Sequence, residues 1–318
     1  MSDIDDIRVL IYLTTGFLDS GKTEFLKFTL EQPYFQEKGR TVLLLCEDGE
    51  NKFDEARLAK EHRTVIERIH SQDELTTEFL ESLDQKYHPE RVVIEYNGMW
   101  PVSKFESTPL PDGWAVIQKI ATVDASTFPM YLTNMKPLFV EMVRNSDLVL
   151  FNRCVDRKAL PGYRRGVKVV SPQAEVIFEN NRVQITNIFD EDVPFDLKAP
   201  VIRVEREDYG IWYVDAMDKA DRYKGKTVEF DVRAKRLKGI TSAFIPGRMA
   251  MTCCENDLSF LGYPCRCRNM PLPPNGQWIR LRAKIGYEYS KKTDGPAPVL
   301  EAVSYEKCDP IEEYVYFN

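Results

Sequence analysis

Gly16-Phe-Leu-Asp-Ser-Gly21-Lys22-Thr23 decides how the first half of this chain is read. The octapeptide fits the pattern G-x-x-x-x-G-K-S/T. It stands between the apolar run Arg8–Leu13 (RVLIYL) and the helix-like stretch Thr23–Glu31. A strand before it and a helix after it give the pattern its chemistry. Glycines let backbone N–H groups curl around the α- and β-phosphates of a nucleotide, the lysine reaches the β- and γ-phosphates, and the threonine hydroxyl ligates Mg²⁺. The helix that begins here adds the positive end of its dipole.

Outward from this loop, apolar runs alternate with helical patterns. Thr41–Leu45 (TVLLL), Arg91–Glu95 (RVVIE), Val116–Val123 and Leu148–Phe151 read as short buried strands. Asp73–Tyr87 places Leu75, Phe79, Leu80, Leu83 and Tyr87 near a 3.6-residue period, with Ser71 or Asp73 as N-cap, and Lys136–Arg144 is a further helix. Strands apolar on both faces and separated by helices make βαβ units, hence an α/β domain with a mainly parallel sheet and helices on both faces. Glu95 ends its strand where an acid is needed to hold Mg²⁺ and its waters. Glu47 and Asp48, just past TVLLL, are placed at the same crevice.

The pattern changes near residue 200. An acidic stretch at 190–196 and Pro200 form a connection, and Ile211–Ala220 is a last helix. Thr227–Ala234, Thr241–Cys254, Trp278–Ile285 and Val299–Tyr305 then alternate between turns rich in Pro, Gly and Asn. Such spacing predicts a small all-β domain, an antiparallel barrel or sandwich. The expected division is residues 1–200 and 201–318, two domains in 318 residues.

Lys plus Arg number 43 against 50 Asp plus Glu, a net charge of -7, so non-specific nucleic-acid binding has no global electrostatic support. Lys224, Lys226, Arg233, Lys235, Arg236 and Lys238 form a basic strip, read as a solvated face because aromatic residues are sparse beside it. No apolar run approaches the ~18 residues of a membrane span, and the acidic start Met1-Ser-Asp-Ile-Asp-Asp6 is unlike a signal peptide. A soluble, cytoplasmic protein is expected. The three histidines, His62, His70 and His88, read as surface or cap residues.

Five of the seven cysteines follow residue 250. Cys253, Cys254, Cys265 and Cys267, with Asp257, either gather on Zn²⁺ or pack as small apolar side chains. Adjacent cysteines on a regular strand point to opposite faces, so Cys253 and Cys254 share one metal only at a bulge or strand end.

Two resemblances follow from these residues. Gly16–Thr23, Cys46-Glu47-Asp48-Gly49-Glu50 with Asp54, Glu95-Tyr96-Asn97-Gly98 with Pro101, Val123-Asp124-Ala125 and Asn152-Arg153 resemble, in order and spacing over about residues 8–156, the CobW-like P-loop GTPases of metal-centre assembly. The resemblance implies a GTP site built from Gly16, Asp19, Ser20, Gly21, Lys22, Thr23 and Glu24. It makes Lys22, Glu95 and Glu47 catalytic, with Mg²⁺ on Thr23 and Glu95, and Glu47 lies in the segment that responds to the γ-phosphate. The family's Cys-x-Cys-Cys metal site has no counterpart here, since Asp48–Glu95 holds no cysteine. Guanine recognition in the family uses Asn-Lys-x-Asp. Here Asn152-Arg-Cys-Val-Asp156 sets the acid one residue late, so Asp156 reaches the base only if the loop adjusts.

Over about residues 208–318, Arg248-Met-Ala-Met-Thr-Cys253-Cys254 with Asp257, Tyr223-Lys-Gly225-Lys-Thr-Val228 and Tyr314-Val-Tyr316 resemble the soluble domain of a bacterial family of proposed permeases. That likeness implies an OB-like barrel. Together the resemblances imply a slowly hydrolysing GTP switch in metal homeostasis or transport. Its partner would be a metalloprotein client or a transport component, and it would be free to oligomerise. The competing expectation is a non-hydrolysing nucleotide-binding adaptor whose barrel holds a protein or single-stranded nucleic acid.

Overall fold

The computed structural model describes residues 7–36, 39–49, 52–185, 193–251, 258–268, 270–291 and 295–315. It divides into two units, Met1–Leu160 with Gln173–Asn187, and Pro161–Pro172 with Ile188–Asn318. The division falls before residue 200 because Val193 and Phe195 of the acidic stretch, and Leu197 just after it, pack with the core of the second unit.

The first unit contains β1 (Val9–Thr15), β2 (Thr41–Leu45), β3 (Thr64–Arg68), β4 (Arg91–Glu95), β5 (Trp114–Asp124), β6 (Leu148–Asn152), β7 (Glu175–Asn180) and β8 (Val183–Gln184). Its helices are α1 (Lys22–Leu30), α2 (Pro33–Gln36), α3 (Glu55–Glu61), α4 (Thr77–Tyr87), α5 (Val102–Glu106), α6 (Phe128–Asn134) and α7 (Lys136–Val143). The sheet order is β3-β2-β4-β1-β5-β6-β7-β8, and β8 alone runs antiparallel to its neighbour. The connection from β1 leads to one side of the sheet and that from β4 to the other, so the crevice of the fold opens between the carboxyl ends of these two strands. Leu26, Leu30, Leu43 and Val93 share one core cluster, while Phe139, Phe128 and Phe151 meet edge to face in series and Phe151 stacks on Phe178.

The sequence pattern missed β3, β7 and β8. TVIER and EVIFEN are half-buried and interrupted by charge, unlike the continuous apolar runs of central strands. The helix expected over Asp73–Tyr87 is in fact two pieces. Ser71 caps a short turn at Gln72–Glu74, and Thr76 caps α4, its hydroxyl accepting from the N–H of Phe79 at 3.2 Å. Leu75 lies between them, buried but out of helical geometry with ψ 71°. His62 and His88 do cap helices, although His62 is buried.

The second unit holds most of α8 (Leu160–Val170), then α9 (Tyr209–Asp218) and α10 (Ala220–Tyr223). Its strands are β9 (Ile202–Arg203), β10 (Thr227–Arg236), β11 (Ala243–Met251), β12 (Leu258–Gly262), β13 (Cys265–Arg266), β14 (Trp278–Ser290) and β15 (Gly295–Lys307). The sheet is mixed rather than antiparallel, because the short β13 runs parallel to β15 and β9 parallel to β10. β10 pairs with both β14 and β11, β11 with β13, and β13 and β14 with β15, so the backbone hydrogen bonds run round a closed circuit of five strands. Val228, Phe230, Val232 and Ala234 point inward, while Glu229 and Asp231 between them pair with Arg282 and Arg280 across the β10–β14 ladder. Trp212, Tyr209, Phe230 and Tyr263 form an aromatic centre.

Candidate functional site

Parallel register brings three strand ends level: Glu95 of β4 pairs with Thr14 of β1 and with Leu45 of β2. The loop that leaves β1, the acid that ends β4 and the residues that follow β2 therefore converge. Gly21 adopts φ +95° as N-cap of α1, a conformation open to glycine and costly for L side chains. Gly98 is required for a different reason: a Cβ there would lie 2.5 Å from the carbonyl oxygen of Gly16. The spacing from Glu95 to Gly98 thus seats the end of β4 directly on the phosphate loop.

Lys22 is only 3% exposed. Its ammonium donates to the carbonyl oxygens of Gly16 (2.8 Å) and Phe17 (2.9 Å) and pairs with Glu47 at 2.6 Å. The Thr23 hydroxyl donates to Glu95 at 2.7 Å. Burial pushes the Glu95 carboxyl above its ordinary range, against the opposing pull of the Thr23 hydrogen bond and the Lys22 charge. Glu47 also accepts from the N–H of Gly98 at 3.4 Å. A hydroxyl and a desolvated carboxylate, both hard oxygen donors on adjoining elements, suit Mg²⁺.

The rest of the loop is braced from β5 and β6, whose ends Asp124 and Asn152 are paired in register. Ser20 shares a 2.8 Å hydrogen bond with Thr122. Asn152 donates its amide to the carbonyl of Ser20 (2.7 Å), and Arg153 donates to the carbonyl of Asp19 (2.9 Å) while pairing with Asp124 (2.7 Å). Burial works against the charge on Asp124, but hydrogen bonds from Ser126 and Arg153 prevail and hold its pKa low. Asp19 is exposed, and Glu24 lines both the loop and a cavity beside it.

That cavity, of about 330 Å³, lies against Gly21, Phe25, Phe28, Asn152, Arg153 and Glu179. Asp156 does not line it. It is exposed, and its carboxylate accepts from the backbone N–H of Lys158 at 3.0 Å. Arg153 and Glu179 were not singled out by the sequence. Arg153 was visible only as part of a motif, and Glu179 ends a strand that the apolar pattern did not reveal.

Among the cysteine-rich candidates, Cys253, Cys254 and Asp257 lie outside the described residues. Cys265 and Cys267 are buried in the core of the second unit, and burial raises both thiols, which keeps them protonated. Among the described residues no group of three or more His, Cys, Asp or Glu is placed to hold a metal ion. Cys265 and Cys267 thus lie among apolar side chains of that core. Arg248 of the second resemblance is 2% exposed. It donates to the carbonyl oxygens of Arg206 and Glu313 and lies 5.8 Å from the ring of Tyr209.

Residues 10–177 match the model of the CobW/HypB/UreG nucleotide-binding domain, and residues 181–317 match that of the DUF1980 C-terminal domain. No curated protein matches the chain. Solved structures with similarity include Zn(II)-bound YjiA GTPase from E. coli, at 16% identity and TM-score 0.42, covering 85% of this chain and 92% of that one. The hydrogenase maturation factor HypB from Archaeoglobus fulgidus shows 16% identity and TM-score 0.39 over 55% of this chain and 82% of that one. HypB from Helicobacter pylori in complex with nickel shows 15% identity and TM-score 0.35 over 56% and 81%. With over half of its length matched to that nucleotide-binding model, and with a phosphate loop, a level strand-end acid and an asparagine brace in one crevice, the chain belongs to the CobW/HypB/UreG family.

Proposed function

We propose that this protein binds GTP with Mg²⁺ at Gly16–Thr23 and hydrolyses it slowly, as a switch in the handling of metal ions. The observation that carries the reading is the convergence of Lys22, Thr23, Glu95 and Glu47 within hydrogen-bonding distance at the carboxyl ends of β1, β2 and β4. Gly16, Asp19, Ser20 and Gly21 supply the loop, and Glu24 sits in the first turn of the helix that follows. Lys22 binds the terminal phosphates once Glu47 yields it, and Glu47 is thereby placed to sense the γ-phosphate. Magnesium, held by the Thr23 hydroxyl and the Glu95 carboxylate, would neutralise charge on the β- and γ-phosphates. The arginine beside the loop, Arg153, is committed to Asp124 and to the carbonyl of Asp19, which supports slow intrinsic turnover.

For the second unit the closed circuit β10-β11-β13-β15-β14, with its one parallel contact, supports an OB-like barrel. Family membership supports a cytoplasmic role with a metalloprotein client or a transport component as partner. Among the described residues no helix is long and apolar enough to cross a membrane. The test is phosphate release from GTP by the full chain with and without Mg²⁺, beside the Lys22→Ala and Glu95→Gln variants. Slow, Mg²⁺-dependent release abolished by either substitution is expected. Tight binding with no release by the native chain would favour the adaptor reading, and no binding at all would remove both.

A further inference from the structure

The family's guanine-reading acid falls one residue late in this chain, and the structure shows what stands at the nucleobase end of the loop instead. β6 and β7 run parallel with Phe151 opposite Phe178, so one step further along Asn152 stands beside Glu179 at the carboxyl edge. The backbone reinforces this, since the N–H of Cys154 donates to the carbonyl of Glu179 at 3.0 Å. Phe151 and Phe178 are buried on one side of the sheet, so alternation sends Asn152 and Glu179 to the other, against α1.

There they line the cavity of about 330 Å³ together with Phe25 and Phe28 of α1, next to Gly21. Phe28 is 61% exposed and offers a ring to a planar ligand. The Oδ1 of Asn152 is buried without a hydrogen-bond partner. Among the described residues none donates a hydrogen bond to the Glu179 carboxylate, which is half-buried near Arg182. Asp156, by contrast, is exposed and already accepts from the N–H of Lys158. A cavity of this size, with apolar walls and a few convergent polar atoms, has the form of a small-molecule subsite.

We infer that Glu179, and not Asp156, is the residue that selects guanine, its carboxylate accepting from the base N1–H and N2–H groups while Asn152 holds the base beside the loop. The inference rests on the proposed nucleotide site and deepens it. Guanine presents two parallel donors at that edge and fits a carboxylate. Adenine presents an acceptor at N1 and a C–H at C2, and cannot pair with it in the same way. Xanthine replaces the N2 amino group by a carbonyl, which opposes a carboxylate but accepts from an amide.

The experiment is calorimetric titration of the full chain with GTP, ATP and xanthosine triphosphate in the presence of Mg²⁺. Native protein, Glu179→Gln and Asp156→Asn are compared, with circular dichroism to confirm folding. Expected are a preference of at least tenfold for GTP over ATP in the native chain, and in E179Q a loss of at least tenfold for GTP with a gain of at least tenfold for xanthosine triphosphate. The gain cannot arise from a misfolded variant. The assignment is overturned by equal GTP and ATP affinities in the native chain, by E179Q behaving as native or losing GTP without the gain, or by the switch appearing in D156N instead. Absence of triphosphate binding by the native chain would instead overturn the nucleotide reading itself.

Discussion

The crevice of the first unit and the strand circuit of the second treat charge in opposite ways. In the crevice Lys22 and Glu95 are 3% and 5% exposed, within reach of Glu47 and Thr23. On the circuit Arg280 and Arg282 form half-exposed ladders with Asp231 and Glu229, and the interior is apolar and aromatic. Buried opposed charges seldom repay their desolvation as stability, so such a cluster points to a ligand that the protein is built to meet. Pairs in solvent add little and keep a sheet surface soluble. Arg248 is an instructive exception in the second unit, a buried cation that donates to the carbonyl oxygens of Arg206 and Glu313 beside the ring of Tyr209 while its Nε is buried without a hydrogen-bond partner.

The strongest way to break this contrast is to attack the interior that should hold the second unit. Trp212 is fully buried against Tyr209, Phe230 and Tyr263, so Trp212→Ala should cost about 3–5 kcal/mol. Denaturant unfolding followed by circular dichroism reads it, and a loss below about 1 kcal/mol would mean that the circuit is not held by its aromatic centre. Next in size is the crevice. Lys22→Ala should weaken Mg-triphosphate binding at least ~100-fold, about 2.7 kcal/mol, while cooperative unfolding persists. Unchanged affinity by calorimetry would make the buried cluster a structural one.

The contrast sharpens at Glu47. Its carboxylate holds Lys22 at 2.6 Å, and in the proposed function it gives way to phosphate. Glu47→Gln should therefore tighten triphosphate binding about tenfold, or about 1.4 kcal/mol. Weaker binding in that variant would mean that Glu47 assists the ligand and does not compete with it.

The smallest effect belongs to an exposed pair of the first unit, which should behave like the ladders of the second. Arg8 donates to both oxygens of Asp84, and this hydrogen bond, opposed by slight desolvation, holds the Asp84 pKa below the ordinary carboxylate value. The pair's contribution is therefore complete above the ordinary carboxylate pKa and is lost as pH falls through the lowered value. With Arg8 half exposed, Arg8→Ala should cost under about 1 kcal/mol at neutral pH and nothing in strong acid. A loss independent of pH would assign the effect to packing.

Legibility followed the range of the interactions. The phosphate loop was readable because consecutive residues perform its chemistry, and β1, β2 and β4 were readable because a central parallel strand is apolar throughout. β3 and β7 were not, since flanking strands are half-buried and carry charge. The break between the capped turn at Gln72–Glu74 and α4 was hidden because Leu75 keeps the apolar period while leaving the helix. For Cys265 and Cys267 the sequence left both metal and packing open, and which side chains surround them, the apolar core of the second unit, is a product of the tertiary structure.

By itself, then, the sequence determined the triphosphate end of the site, where spacing along one loop and one helix places every group. The sequence also named Glu95 and Glu47 as acids of the crevice, but only the tertiary structure decided their partners and brought Glu179 to the other end of the loop. Glu95 meets Thr23 because β1 and β4 are neighbours in register, and Glu179 stands beside Asn152 because β6 and β7 are. Those residues are separated by 72 positions in the first case and by a whole crossover in the second. No local periodicity encodes such distances. Strand order and register, fixed by the burial of the whole sheet, are what bring them together.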